Sequence, residues 1–203
     1  MTQKVNVFMI SGPVGPLDTM VIDAVGPSVG IAVICHPNPL QGGSNTNKVV
    51  QTMAKALSQR GYMCFCPNLR GVGQSAGQHD YGAGEVEDVL AVIEYARDHA
   101  PNVPLILAGF SFGGFVAARV REHIEASQLL LVGVAVGKYA LPTPCVPDDT
   151  LVIHGEEDDV IPLASVFEWA RPQSLPVIVL PGTGHFFHGR LVQINRLIQR
   201  YLS

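Results

Sequence analysis

The run Gly109-Phe110-Ser111-Phe112-Gly113, followed by Gly114, places a serine between closely spaced glycines. It fits Gly-x-Ser-x-Gly, with an apolar stretch before it and a helix-periodic stretch after it. A sharp strand-to-helix turn there would force Ser111 into strained dihedrals and lift its hydroxyl out of the sheet. A serine hydroxyl is a weak nucleophile until a base takes its proton, and the base needs an acid to orient it. Of seven histidines, His185 is the first choice as base, because the Gly-x-Gly turn in Pro181-Gly-Thr-Gly-His-Phe-Phe-His188 presents it directly. His188 is its competitor. Serines on such turns are followed in the chain by the acid and then the histidine. The segment Leu151-Val-Ile-His-Gly-Glu-Glu-Asp-Asp-Val-Ile-Pro162 lies in that interval. Asp158 is the first choice and Asp159 the second, with Glu156 and Glu157 read as solvated turn residues. Each piece alone also fits a plainer reading: a glycine-rich turn, a surface histidine, an acidic loop.

Residues so far apart in sequence need a scaffold to bring them together. Residues 5–10 and 19–25 read as two strands of an antiparallel hairpin, joined by a Gly/Pro-rich turn over 11–17. Short apolar strands are expected at 31–35, 62–67, 104–109, 129–135, 151–154 and 177–180. Between them the spacing predicts helices over 45–60, 84–99, 112–124, 163–170 and 190–202. Ser44 is expected to cap the first and Gly61 to stop it. Strands apolar throughout, with helices between them, imply a parallel sheet covered on both faces, here with an antiparallel N-terminal edge. Such sheets place their sites at the carboxyl ends of the strands, where the Gly-rich loops fall.

Gly-Phe-Ser-Phe-Gly-Gly, His154-Gly-x-x-Asp158-x-x-x-Pro162 and Gly-x-x-His185-Phe-Phe together resemble the α/β-hydrolase superfamily. The segment from His36 to Lys48, Asn68-Leu-Arg-Gly-Val-Gly-Gln-Ser-Ala-Gly77 and His185-Phe-Phe-His188 narrow the likeness. They are similar to a group of small, lidless bacterial hydrolases that resemble dienelactone hydrolases. The resemblance covers nearly the whole chain. It implies an α/β-hydrolase fold without a cap domain, Ser111 as nucleophile, Asp158 as acid and His185 as base. It also implies an oxyanion hole of two backbone N–H groups. One belongs to Phe112, the residue after the nucleophile. The other must come from His36-Pro37-Asn38-Pro39-Leu40, where the prolines have no N–H. The family's usual donor stands two residues after the motif histidine, at Asn38, with Leu40 as the fallback.

Composition narrows the function further. The 203 residues are 47% hydrophobic and 15% charged, which suits one folded domain over 1–203. Thirteen Lys and Arg against seventeen Asp and Glu leave no basic surplus for nucleic acid. No apolar run is long enough to span a membrane, and Met1–Ile10 does not read as a signal peptide. Cys35, Cys64 and Cys66 fall in apolar strands and read as reduced core residues of a cytoplasmic protein. The spacing of Cys64 and Cys66 is not that of a zinc site. Arg70 is read as holding its loop, with contact to an acidic substrate as the alternative. The expected function is hydrolysis of an ester or related acyl bond in a small soluble substrate, with no metal or organic cofactor. A peptidase or thioesterase on the same residues is a rival, as is a binding or scaffold protein that keeps the fold without turnover. The connection 136–150, rich in proline, is expected to leave the site open.

Overall fold

The computed structural model describes residues 4–202, so part of the expectation for Met1–Ile10 lies outside the described residues. The chain opens with a hairpin of β1 (Val5–Gly12) and β2 (Gly15–Ile22), paired antiparallel from Val5 with Ile22 to Gly12 with Gly15. The turn is Pro13-Val14 alone, shorter than the expected 11–17. Glycines at both ends permit a tight reversal, so the ladder runs through residues whose composition suggests a loop.

β2 lies antiparallel to β4 (Tyr62–Pro67). Beyond it every pairing is parallel, through β3 (Gly30–Cys35), β5 (Leu105–Phe110), β6 (Gln128–Val132), β7 (Leu151–Gly155) and β8 (Ile178–Leu180). The eight strands run in the order β1-β2-β4-β3-β5-β6-β7-β8. β3 and β5 are buried at every position, as strands covered on both faces must be.

Alternate strand residues feed two apolar layers. Ile106, Ala108 and Phe110 pack with α1 (Lys48–Gln59) and α5 (Leu191–Tyr201). Leu105 and Leu107 pack with α2 (Ala83–His99), α3 (Phe112–Arg121) and α4 (Leu163–Ala170). Each large side chain buried this way contributes about 1.5–3 kcal/mol, so this double-faced core is what fixes the positions of the strand ends.

β2 ends at Ile22, short of the expected 25, and three further boundaries differ from expectation for local reasons. α1 begins at Lys48, capped by Asn47, whose side chain accepts the N–H groups of Val49 and Val50. Ser44 bonds Thr46 instead. The preceding residues cannot join the helix because Asn45 is tied to the sheet through Asn68 Oδ1 and the Cys66 carbonyl. β6 ends at Val132, because the next N–H groups turn elsewhere: Gly133 donates to Ile153, and Ala135 donates to Ser111. α3 ends at Arg121, with Glu122 as its C-cap. The connection from β6 to β7 carries no helix, so no cap covers the strand ends. Among the described residues no helix is long and apolar enough to cross a membrane.

Candidate active site

The strand ends converge on Ser111, at the junction of β5 and α3. Its φ of 54° and ψ of −117° lie in a region that costs a non-glycine residue about 1–3 kcal/mol. The surroundings hold it there. Its N–H donates to the Val132 carbonyl at 3.0 Å, and its own carbonyl accepts from Gly114, Phe115 and Ala135. A side chain at Gly113 would collide with the Cys35 carbonyl, so glycine lets the first turn of α3 seat against the end of β3.

Two loops meet above this turn. His185 Nε2 lies 2.9 Å from Ser111 Oγ, and His185 Nδ1 lies 2.7 Å from Asp158 Oδ2. A carboxylate only accepts, so Nδ1 carries the hydrogen and Nε2 presents a lone pair to the hydroxyl. Asp158 Oδ1 takes the N–H groups of Val160 at 3.0 Å and Ile161 at 2.7 Å, which pin the carboxylate in one orientation. The acid and histidine loops are stitched together by Glu157 N–H donating to the Thr183 carbonyl. A side chain at Gly155 would strike that carbonyl, so glycine permits the approach. The His185 ring packs on Phe110, 5.2 Å between centroids.

Burial alone would raise the Asp158 pKa. The hydrogen bonds from His185 and Ile161 outweigh it and hold the carboxyl below its ordinary range. His154, inside β7, is a second histidine on this acid. Its Nε2 lies 2.9 Å from the Ile161 carbonyl and 3.3 Å from Asp158 Oδ2. Both neighbours are acceptors, so Nε2 carries the hydrogen, and burial lowers the His154 pKa and favours the neutral ring.

The loop after β3 faces the same point. His36 is buried, donating from Nδ1 to the Pro37 carbonyl at 2.7 Å and accepting the Leu69 N–H at Nε2. Burial, opposed by the Pro37 bond and aided by His79, pushes its pKa down to about 4. The Leu40 N–H already donates to Asn38 Oδ1 at 2.9 Å. With the prolines excluded, Asn38 is left as this loop's candidate donor. Phe112 is the first residue of α3, so its N–H has no acceptor within the helix. A cavity of about 140 Å³ brings Asn38 and Ser111 together with Gln41, Lys138, Tyr139 and Ile161. Open space lies beside the Ser111 hydroxyl there.

The alternatives fall elsewhere. Asp159, Glu156, Glu157 and His188 are exposed. Glu156 accepts the Gly182 N–H, and His188 stacks on Phe186. Arg70 is buried against Asp88, with Nη2 and Nε at 2.8 and 3.0 Å from its carboxylate, and so clamps the loop after β4 to α2. Asp88 is thereby committed to Arg70. Cys35, Cys64 and Cys66 are buried free thiols, and burial raises Cys66 to about 12. Among the described residues no group of three or more His, Cys, Asp or Glu is placed to hold a metal. Lys138 and Tyr139 line the cavity without any signal in the sequence, since a helix-free loop has no periodicity to reveal which side chains border a site. His154 carried a signal only as part of its motif.

A family model described as the alpha/beta hydrolase fold matches residues 33–124. An a/b serine hydrolase without a lid from Xanthomonas campestris is 34% identical, with a TM-score of 0.93 over 100% of this chain and 95% of that one. An alpha-beta serine hydrolase homologue from Coxiella burnetii is 38% identical, with a TM-score of 0.88 over 98% of this chain and 97% of that one. An uncharacterized protein of Rickettsia prowazekii is 29% identical over 206 residues, covering 95% of this chain and 86% of that one.

Proposed function

Because the chain belongs to the α/β-hydrolase family, we propose that it is a serine hydrolase cleaving an ester or related acyl bond of a small soluble substrate. The observation that carries this reading is the hydrogen-bonded line Asp158–His185–Ser111, ending on a serine held at positive φ. Ser111 Oγ attacks the acyl carbon as its proton passes to His185 Nε2. Asp158 holds the imidazole and stabilises the imidazolium that forms. The backbone N–H groups of Phe112 and Asn38 receive the developing oxyanion. His185 returns the proton to the leaving oxygen, which departs and leaves an acyl-enzyme. Water, deprotonated by His185, then attacks the acyl carbon, and Ser111 Oγ departs with the proton from His185 as the acid is released. Every step is proton transfer and acyl transfer, supplied by this chain's own residues.

The buried reduced cysteines support a cytoplasmic setting. The open β6–β7 connection supports an exposed site for short, soluble substrates. The test is a panel of p-nitrophenyl esters of increasing acyl length, with thioesters and anilides beside it. Saturable hydrolysis of short esters, lost in Ser111→Ala, is the expected result. No turnover of any member by a folded protein would overturn the reading in favour of a hydrolase-fold binding protein.

A further inference from the structure

The cavity at Ser111 has a charge character that the hydrolytic residues do not require. Of the side chains lining it, Lys138 is the charged one, and the polar company is Asn38, Gln41 and Tyr139. Among the described residues Lys138 forms no ion pair. Arg70, another cation on the loops around the site, is consumed by Asp88. The nearby acids are accounted for. Asp158 lies behind His185, and Asp159 is exposed beside the wall. Glu85 is buried, and its carboxylate takes the N–H groups of Asp80 and Gly82.

The loop that carries Lys138 is anchored at several points after it. The neighbouring Tyr139 ring packs against Phe112 and Phe115, each at 5.0 Å between centroids. Further on, the Pro144 carbonyl accepts from Trp169 Nε1, and the Val146 N–H donates to Gln173 Oε1. The tyrosine hydroxyl stays protonated, since burial and the Glu85 charge push its pKa up to about 12. One wall of the cavity therefore offers a cation on an exposed side chain and a phenolic donor.

We propose that the acyl part of the substrate ends in a carboxylate that Lys138 receives, so that the preferred substrates are half-esters of short dicarboxylic acids. This rests on the serine-hydrolase reading above. Size sets the acyl length: 140 Å³ holds about five water-sized groups, enough for a two- or three-carbon chain and its terminal carboxylate. A neutral ester of equal length leaves the ammonium unpaired, whereas the half-ester gains a charge-assisted contact. An ion pair at an exposed site is worth up to about fivefold in kcat/KM.

The experiment compares mono-p-nitrophenyl succinate and glutarate with p-nitrophenyl butyrate on the full chain, in wild type, Lys138→Gln and Lys138→Glu. The ratio of anionic to neutral kcat/KM is read within each preparation, so partial misfolding cancels. We expect a wild-type ratio of about five relative to the same ratio in Lys138→Gln, a further drop in Lys138→Glu, and loss of the wild-type preference at high salt. Equal ratios in the three proteins would overturn the assignment of Lys138. A protein inactive on all three esters and unlabelled at Ser111 would instead overturn the hydrolase reading on which it rests.

Discussion

Replacing Asp158 by Asn should disable the site without disturbing its shape, and the hydrogen bonds around the carboxylate say why. Oδ1 accepts two backbone N–H groups, from Val160 and Ile161. The amide oxygen of Asn must stay there, because a flip would set an NH2 group against two donors and leave both buried N–H groups unpaired. Each would cost about 1–3 kcal/mol. The amide nitrogen is then turned toward His185 Nδ1, which must become an acceptor. The ring hydrogen moves to Nε2, facing Ser111, and His185 can no longer take the serine proton. A wrong tautomer of this kind lowers turnover by about 10⁴, equivalent to about 5 kcal/mol of barrier. The assay is kcat/KM on a short p-nitrophenyl ester, with circular dichroism to verify the fold. Asp159→Asn is the control and should stay within about twofold of wild type, as surface changes usually do. An Asp158→Asn protein keeping a tenth of wild-type activity, or Asp159→Asn losing more than Asp158→Asn, would refute the reasoning.

His185→Ala should lose about 10³-fold or more in kcat, while His188→Ala stays within a few-fold, both read by ester hydrolysis. Equal losses would mean that the exposed ring takes part. His36 is held neutral by burial, with its pKa moved from 6.5 to about 4. Between those values the unfolded chain binds a proton that the folded chain does not, so stability falls as pH drops. The loss from pH 6.5 to 4.5 should be about 2–3 kcal/mol from this group. In urea titrations His36→Gln should lose that much less over the same interval, and an unchanged loss would contradict the assignment. Short acyl groups should be preferred and activity should not jump at an emulsion interface, since the small cavity buries few methylenes at about 0.8 kcal/mol each. A preference for decanoate over butyrate would show that the cavity extends further than its lining residues indicate.

The parts of the fold legible in the sequence are those whose signals are local and strong. β4 and α4 fall at the predicted residues, because an apolar run bounded by Gly61 and Asn68, or by Pro162 and Arg171, leaves few choices. The turn at Ser111 was legible for the same reason: glycines, an apolar strand and an apolar helix start all coincide there. What was not legible depends on distant partners. Ser44 and Asn47 are equally good capping residues by type. Only the tether from Asn45 to Asn68 and Cys66 decides between them. The strand at 129–135 looked longer than it is, because Val134 and Ala135 are as apolar as the strand but turn under Ser111. Leu40 could be set aside only once the side chain of Asn38 was seen to occupy its N–H. Strand order and the placement of Lys138 and Tyr139 at the cavity have no signature at all in a single sequence, since neither follows from periodicity.

The reactivity of Ser111 toward a fluorophosphonate tests the central claim most directly. The probe forms a covalent bond only with a serine whose proton is being withdrawn by a neighbouring base, and needs no knowledge of the natural substrate. Intact-mass spectrometry of the treated protein, followed by peptide mapping, reads the outcome. The account predicts one adduct per chain, on the peptide containing Ser111, absent in Ser111→Ala and strongly slowed in His185→Ala. A folded wild-type chain that stays unmodified, or that carries the label on another residue, would contradict it.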